Sequence, residues 1–255
     1  MKTKNLLGIF FLFLCTITLV SCGDDEKQEI YSLSFEKGYY ERPLLGAKNI
    51  PVRGGNRDYT VTVQNTDVLS IDIDLSSPID MGNLVVKPKQ KGETTVTVKD
   101  NVTNETVNLK IKIVDSYLNL KVAHPAQVPY TGGENLFFIN NSDRDFYLFD
   151  EKMEKKECTG NYQFLIKNST CYMILNFDKE LNNKSTYEYN ISNTSERMFT
   201  LIEILLGVDW NMKADLINRS TRSASPVTMN AVDTETNLTQ YFVAGSNDIP
   251  ENILD

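Results

Sequence analysis

Imidazole, indole and thiol groups are scarce in this chain: its 255 residues hold one His, one Trp and four Cys. A triad or dyad built on a hydroxyl or thiol would have to use His124, because activating such a nucleophile needs a base that titrates near neutral pH. His124 precedes Pro125 in a bend and reads as a surface residue, so no catalytic residue is assigned. A zinc site needs about four ligands, which one His and the Cys residues left after processing do not supply. No Gly-rich phosphate loop or dinucleotide fingerprint occurs, and neither metal nor cofactor is expected. Positive charge is also short, with 26 Lys+Arg against 34 Asp+Glu and a formal net charge of -8. That balance argues against nucleic-acid binding, which needs clustered cations on phosphates. With 13 Gly and 8 Pro among 41% hydrophobic residues, the chain has the composition of a folded globular protein of one large or two smaller domains.

What is present begins at the N-terminus. Lys2 and Lys4 precede an apolar run over 6–20, LLGIFFLFLCTITLV, which is short for a membrane span and typical of a signal-peptide core. The run ends in Leu19-Val20-Ser21-Cys22-Gly23, which resembles the lipobox of bacterial lipoproteins. The resemblance implies a signal peptide over 1–21, a diacylglyceryl group on Cys22, cleavage before it and acylation of the new N-terminus, with palmitate among the acyl groups. Several acyl chains anchor lastingly where one is marginal. An acidic tether over 22–29 follows, opening Cys22-Gly23-Asp24-Asp25-Glu26, and it resembles the export tag of surface-exposed lipoproteins of the Bacteroidetes. It implies an outer-membrane, lipid-anchored protein at the cell surface, the periplasmic face being the alternative. Loss of Lys2 and Lys4 with the leader takes the net charge from -8 to -10, which keeps the tethered part soluble.

After processing only Cys158 and Cys171 remain as thiols. They flank the strand-like segment YQFLI and lie thirteen positions apart, a spacing that a hairpin could close into a disulfide. Two free thiols are the alternative, because strand geometry can point the Cβ atoms apart.

The region 30–115 alternates with period two in YTVTV, LSIDIDL, TTVTV and VNLKIKIV, with NLVVKP between them. Gly54-Gly55-Asn56, Ser76-Ser77-Pro78, Lys91-Gly92 and Asp100-Asn101 supply turns. Strands this closely spaced with no helix predict a β-sandwich. The succession YTVTV, Asn65-x-Asp67-Val68-Leu69-Ser70-Ile71, LVVKPK and Lys91-Gly92-Glu93-Thr94-Thr95-Val96-Thr97-Val98 resembles bacterial Ig-like domains of group 2 over about a third of the chain. The resemblance implies a spacer or adhesion module without catalysis.

The region 116–255 resembles no family. Strands are predicted over 117–122, 135–139, 145–149, 163–166, 172–177, 186–191, 227–232 and 238–244. The loop 233–237 joins the last two as a hairpin, and 218–225 reads as a mobile loop. One helix is predicted over 195–207: Ser195 or Thr194 caps it, Gly207 ends it, and Met198, Phe199, Ile202, Leu205 and Leu206 form its apolar face. The fold class is therefore mainly β, an Ig-like β-sandwich followed by a β-rich α+β domain.

Aromatic residues are the strongest functional signal. Trp210, beside Asp209 and Asn211 just past the helix, is the candidate ligand-binding group, because an exposed indole stacks on sugars and anchors protein partners, with core packing as the alternative. Asp72 and Asp74 share a strand face and Asp143 and Asp145 flank Arg144. Both sets read as solvent-facing charges, since calcium prefers several oxygens from one loop. The expectation is a non-enzymatic cell-envelope lipoprotein whose Ig-like stalk presents a glycan- or protein-binding C-terminal module. The alternatives are an assembly subunit of a surface complex, such as a pilus or transport system, and a polysaccharide hydrolase.

Overall fold

A computed structural model describes residues 29–210 and 227–254. The molecule is mainly β, as expected, in two modules. The first holds β1 (Tyr39–Pro43), β2 (Ile50–Pro51), β3 (Tyr59–Val63), β4 (Leu69–Asp74), β5 (Asn83–Pro88), β6 (Gly92–Asp100) and β7 (Thr106–Val114). One sheet runs β1-β7-β6-β3 and the other β2-β5-β4, with β1 parallel to β7 and the remaining pairs antiparallel. The period-two pattern decides which side chains meet between the sheets. Val96 and Val98 of β6 and Leu109, Ile111 and Ile113 of β7 face Leu69, Leu84 and Val86 in one buried cluster. Asp100, fully buried at the end of β6, closes the following turn. Its Oδ1 accepts the Val102 and Thr103 N–H groups and its Oδ2 accepts Asn56 N and Nδ2. Burial alone would raise this carboxyl's pKa, and the hydrogen bonds outweigh it and hold the pKa below the ordinary value.

Only Asp115 and Ser116 separate β7 from β8 (Tyr117–Val122), the first strand of the second module. There β9 (Asn135–Ile139), β10 (Asp145–Phe149), β11 (Lys156–Lys167), β12 (Thr170–Leu181), β13 (Lys184–Asn190), β14 (Thr228–Asp233) and β15 (Thr239–Ala244) pair each with the next, all antiparallel. The pairing of β15 with β8, Phe242 opposite Val122, closes the sheet into an eight-stranded barrel. Closure removes the unpaired edges of an open sheet. Two-residue turns at Asn168-Ser169 and Asn182-Asn183, with φ between +50 and +63, join the long strands β11 to β13.

The lumen is filled by side chains. Tyr162, Phe138, Phe146, Phe177, Tyr187 and Tyr189 form a run of ring contacts, mostly edge to face, at 5.0–6.3 Å between centroids, and Phe242 lies in the same buried cluster. Tyr130, from the loop 123–133, plugs one end against Phe242 at 5.6 Å. Helix α1 (Glu196–Leu206) plugs the other with Met198, Phe199, Ile202 and Leu206. Gly207 ends α1 in the left-handed conformation at φ 63, as its position predicts. Ser195 holds the N-cap position, but its hydroxyl donates to Thr228 O and that of Thr194 to Asn230 O. Both hydroxyls tie the helix to β14 instead of capping it.

After β15 the chain turns back toward the sandwich. Gly245 N donates to Asn119 O, and Lys48 pairs with Asp248. Ile249 and Leu254 join a third buried cluster with Val114 of β7 and with Phe137, Ile139 and Phe149 on the outer barrel wall. The segment 246–254 thus covers the junction of the two modules.

Candidate functional site

The same turn that ends α1 builds a groove on the barrel. Gly207 redirects the chain so that Val208 and Asp209 run past the barrel mouth, and a groove of about 310 Å³ opens between them and the end of β11. Gln163, Phe164 and Leu165 form its opposite wall. Arg144, in the turn between β9 and β10, sits at φ 56, a conformation that aims it back toward the helix end. Its Nη1 donates to Leu206 O, to Asn140 Oδ1 at 2.9 Å and to Tyr162 Oη at 3.5 Å. A cation at the C-terminus of a helix also opposes the helix dipole. Among the described residues no acceptor takes the Arg144 Nε or Nη2 hydrogens, so the planar fork keeps donors for a ligand.

Phe164 is the half-exposed aromatic of the groove. Its ring is held between Tyr162 at 5.5 Å, Phe138 at 5.7 Å and Trp210 at 5.8 Å. Tyr162 is itself pinned by donating its hydroxyl to Ile139 O at 2.9 Å. Burial raises the Tyr162 pKa, with Arg144 pulling the other way, so the phenol stays neutral and can accept from Arg144.

Trp210 does not present a stacking face. It is 5% exposed, its Nε1 donates to Phe199 O at 3.2 Å, and its ring meets Phe199 edge to face at 5.0 Å. The indole satisfies its one donor inside the core, and so it supports Phe164 from beneath while Phe164 takes the exposed place. Asp209 does line the groove. Asn211 lies outside the described residues, as do Cys22, the leader, most of the acidic tether and the loop 218–225. Phe164 and Arg144 were missed because β11 reads as a core strand and Arg144 as a charge between two acids. The available signal was the length of the apolar run YQFLI, too long for one buried face.

Cys158 and Cys171 are free thiols and no disulfide joins them. The hairpin turns at Asn168-Ser169, and Cys171 faces Ile166 across it. Cys158 therefore lies eight residues further down β11, roughly 25 Å away along a strand. Burial, with help from Glu157 and Asp178, pushes the Cys158 thiol up to about 11, and burial also raises Cys171. His124 is exposed in the loop 123–133, packed on Gly132. Asp72 pairs with Lys87 on the sandwich surface, Asp74 accepts Ser76 N, and Asp145 accepts Asn141 Nδ2.

No protein-family model matches the chain, and no curated protein matches it. Among solved structures, domains 4-9 of the surface layer protein SbsC match at 12% identity over 86% of this chain and 27% of that one, with a TM-score of 0.29. Domains 5-6 of the S-layer protein SbsC match at 14% identity over 86% of this chain and 85% of that one, also at a TM-score of 0.29.

Proposed function

We propose that this chain is a non-enzymatic, lipid-anchored cell-envelope protein whose barrel binds a glycan in the groove at its mouth, the sandwich serving as spacer. The observation that carries this reading is the groove itself. A half-exposed ring, Phe164, lies beside the unspent donors of Arg144, the exposed amide of Gln163 and the carboxylate of Asp209. An apolar ring face with a few convergent hydrogen-bonding groups is the chemistry that a hydroxyl-rich or acidic sugar requires. Arg144 favours a ligand with a carboxylate, because its fork matches one in two parallel hydrogen bonds.

The groove supports binding better than hydrolysis. Glycoside hydrolysis uses two carboxyl groups flanking one bond, and Asp209 is the sole carboxylate lining this groove among the described residues. The anchor rests on the residues Leu19 to Gly23, and the spacer role on the resemblance of the sandwich to group 2 Ig-like domains. The test is a glycan array probed with soluble protein comprising 23–255, with neutral and uronic-acid-containing glycans side by side. Saturable binding that favours acidic glycans and disappears in Phe164→Ala is the expected result. Binding to envelope proteins alone, with a silent array, would replace the glycan reading with that of an assembly subunit.

A further inference from the structure

The two sheets of the sandwich end in the edge strands β1, β3, β2 and β4, and these are not equally protected. β1 ends in Pro43 and its Glu41 carbonyl accepts from Arg42, and β2 is two residues long with Pro51 as one of them. β4 carries Asp72 and Asp74 on the face away from the core. Proline, shortness and charge are devices that keep an edge from pairing with another chain. β3, Tyr59-Thr60-Val61-Thr62-Val63, has no proline, no charge and no bulge in its register with β6.

The ladder fixes which backbone groups of β3 are spent. Asn101 N donates to Asp58 O at 2.8 Å and Gln64 N to Thr95 O at 2.9 Å, extending the β3–β6 pairing at both ends. Bonded residues alternate along an antiparallel pair, so Thr60 and Thr62 bond to β6 while Tyr59, Val61 and Val63 turn their N–H and C=O outward. Among the described residues nothing pairs with those outward groups. The Val61 and Val63 side chains, which pack on the sandwich core, are left half-buried at this open side.

A row of outward backbone groups is met by the backbone of another strand, and β3 is complementary to itself. Set antiparallel across a two-fold axis at Val61, it places Val61 opposite Val61 of a second copy and Tyr59 opposite Val63. Each such pair exchanges both of its N–H···O bonds. The same register puts Thr60 opposite Thr62 on the outer face. Aromatic with β-branched and Thr with Thr are both favourable cross-strand neighbours, and no like charges meet. We infer that β3 is the interface of a homodimer in which the four-stranded sheet of one copy continues through β3 into that of the other. So short an edge buries little area, which makes the dimer weak and reversible.

Sedimentation equilibrium of the 23–255 protein at up to about 1 mM is expected to show a reversible monomer–dimer equilibrium. The Val61 and Val63 amides should exchange more slowly at high than at low protein concentration. Thr60 and Thr62 are exposed, so charges are placed there without threatening the fold, which circular dichroism checks. Thr60→Glu with Thr62→Glu brings like charges together across the interface and should weaken dimerisation roughly tenfold, as should Thr60→Lys with Thr62→Lys. Mixing the acidic with the basic variant should restore a dimer, because only direct apposition of these positions pairs the opposite charges. Monomer at every concentration would overturn the interface. So would a dimer unaffected by either charged variant, or one that the mixture fails to restore.

Discussion

The sandwich and the barrel are built from the same strand-forming residues, yet they close their cores differently. The sandwich presses two open sheets together with aliphatic side chains, Val96, Val98, Leu109 and Ile111 against Leu69 and Leu84. The barrel rolls one sheet onto itself around aromatic rings and stops its two ends with Tyr130 and α1. The sandwich keeps edge strands: on β1, Arg42 and Pro43 occupy the edge, and the Glu41 carbonyl there is already taken by Arg42. The barrel has no edge, and its groove opens at the mouth, where the loops and the helix end meet. A spacer can be an open sandwich, whereas a groove of fixed shape is better built on a closed wall.

The largest effects are expected in the barrel, through its closure and its core. A Cβ at Gly160 would lie 2.0 Å from Asn176 O on the neighbouring strand and 2.7 Å from the Phe146 ring. Gly160→Val should therefore destabilise the barrel by about 3 kcal/mol, read as a shifted midpoint in denaturant, and abolish ligand binding. Truncation of the two cores sharpens the contrast. Phe138→Ala in the barrel should cost about 4 kcal/mol and Leu109→Ala in the sandwich about 3 kcal/mol, both side chains being fully buried.

Acid should act on both modules through the same device. Asp100 in the sandwich and Asp233 in the barrel are buried carboxylates. Burial would raise both pKa values, but hydrogen bonds to turn N–H groups hold them below the ordinary value. For Asp233 the donors include Thr236 N at 2.8 Å and Glu235 N at 3.0 Å. A carboxyl lowered in the folded state contributes stability above its unfolded pKa of about 3.9, and loses it as pH falls through the folded value. Stability measured by denaturant titration should thus hold from pH 7 to about 5 and fall below about 4. Asp100→Asn and Asp233→Asn should each cost about 1–3 kcal/mol at pH 7 and flatten part of that fall. The smallest effect belongs to the exposed pair Asp72–Lys87, where Asp72→Asn should change stability by less than about 0.5 kcal/mol.

How far the sequence reveals each module follows from the range of the interactions that make it. YTVTV, TTVTV and VNLKIKIV announce their strands by alternation, and those strands are β3, part of β6 and most of β7. The helix over 195–207 is recovered as Glu196–Leu206, because its apolar spacing and Gly207 are local signals. The barrel's closure was not legible, since it depends on Phe242 meeting Val122 some 120 residues away. Asn135–Ile139 reads as a continuous apolar run because both its faces are buried, one in the lumen and the other under 246–254. That docking, too, joins residues from opposite ends of the chain. At the mouth, Asp209 was legible, and of the two readings of Trp210 the structure shows core packing, which its polar neighbours in sequence did not decide because they say nothing of the Phe199 carbonyl that takes the indole N–H.

The division of labour between spacer and reader is tested most directly by one binding series on the 23–255 protein. Wild type, Phe164→Ala, Arg144→Gln and Asp72→Asn would be measured against the same acidic glycan panel. Binding retained by Asp72→Asn and reduced at least tenfold by both groove substitutions, all four proteins being folded, is the result this account predicts. Equal binding by all four proteins, or loss in Asp72→Asn alone, would contradict it and move recognition to another surface.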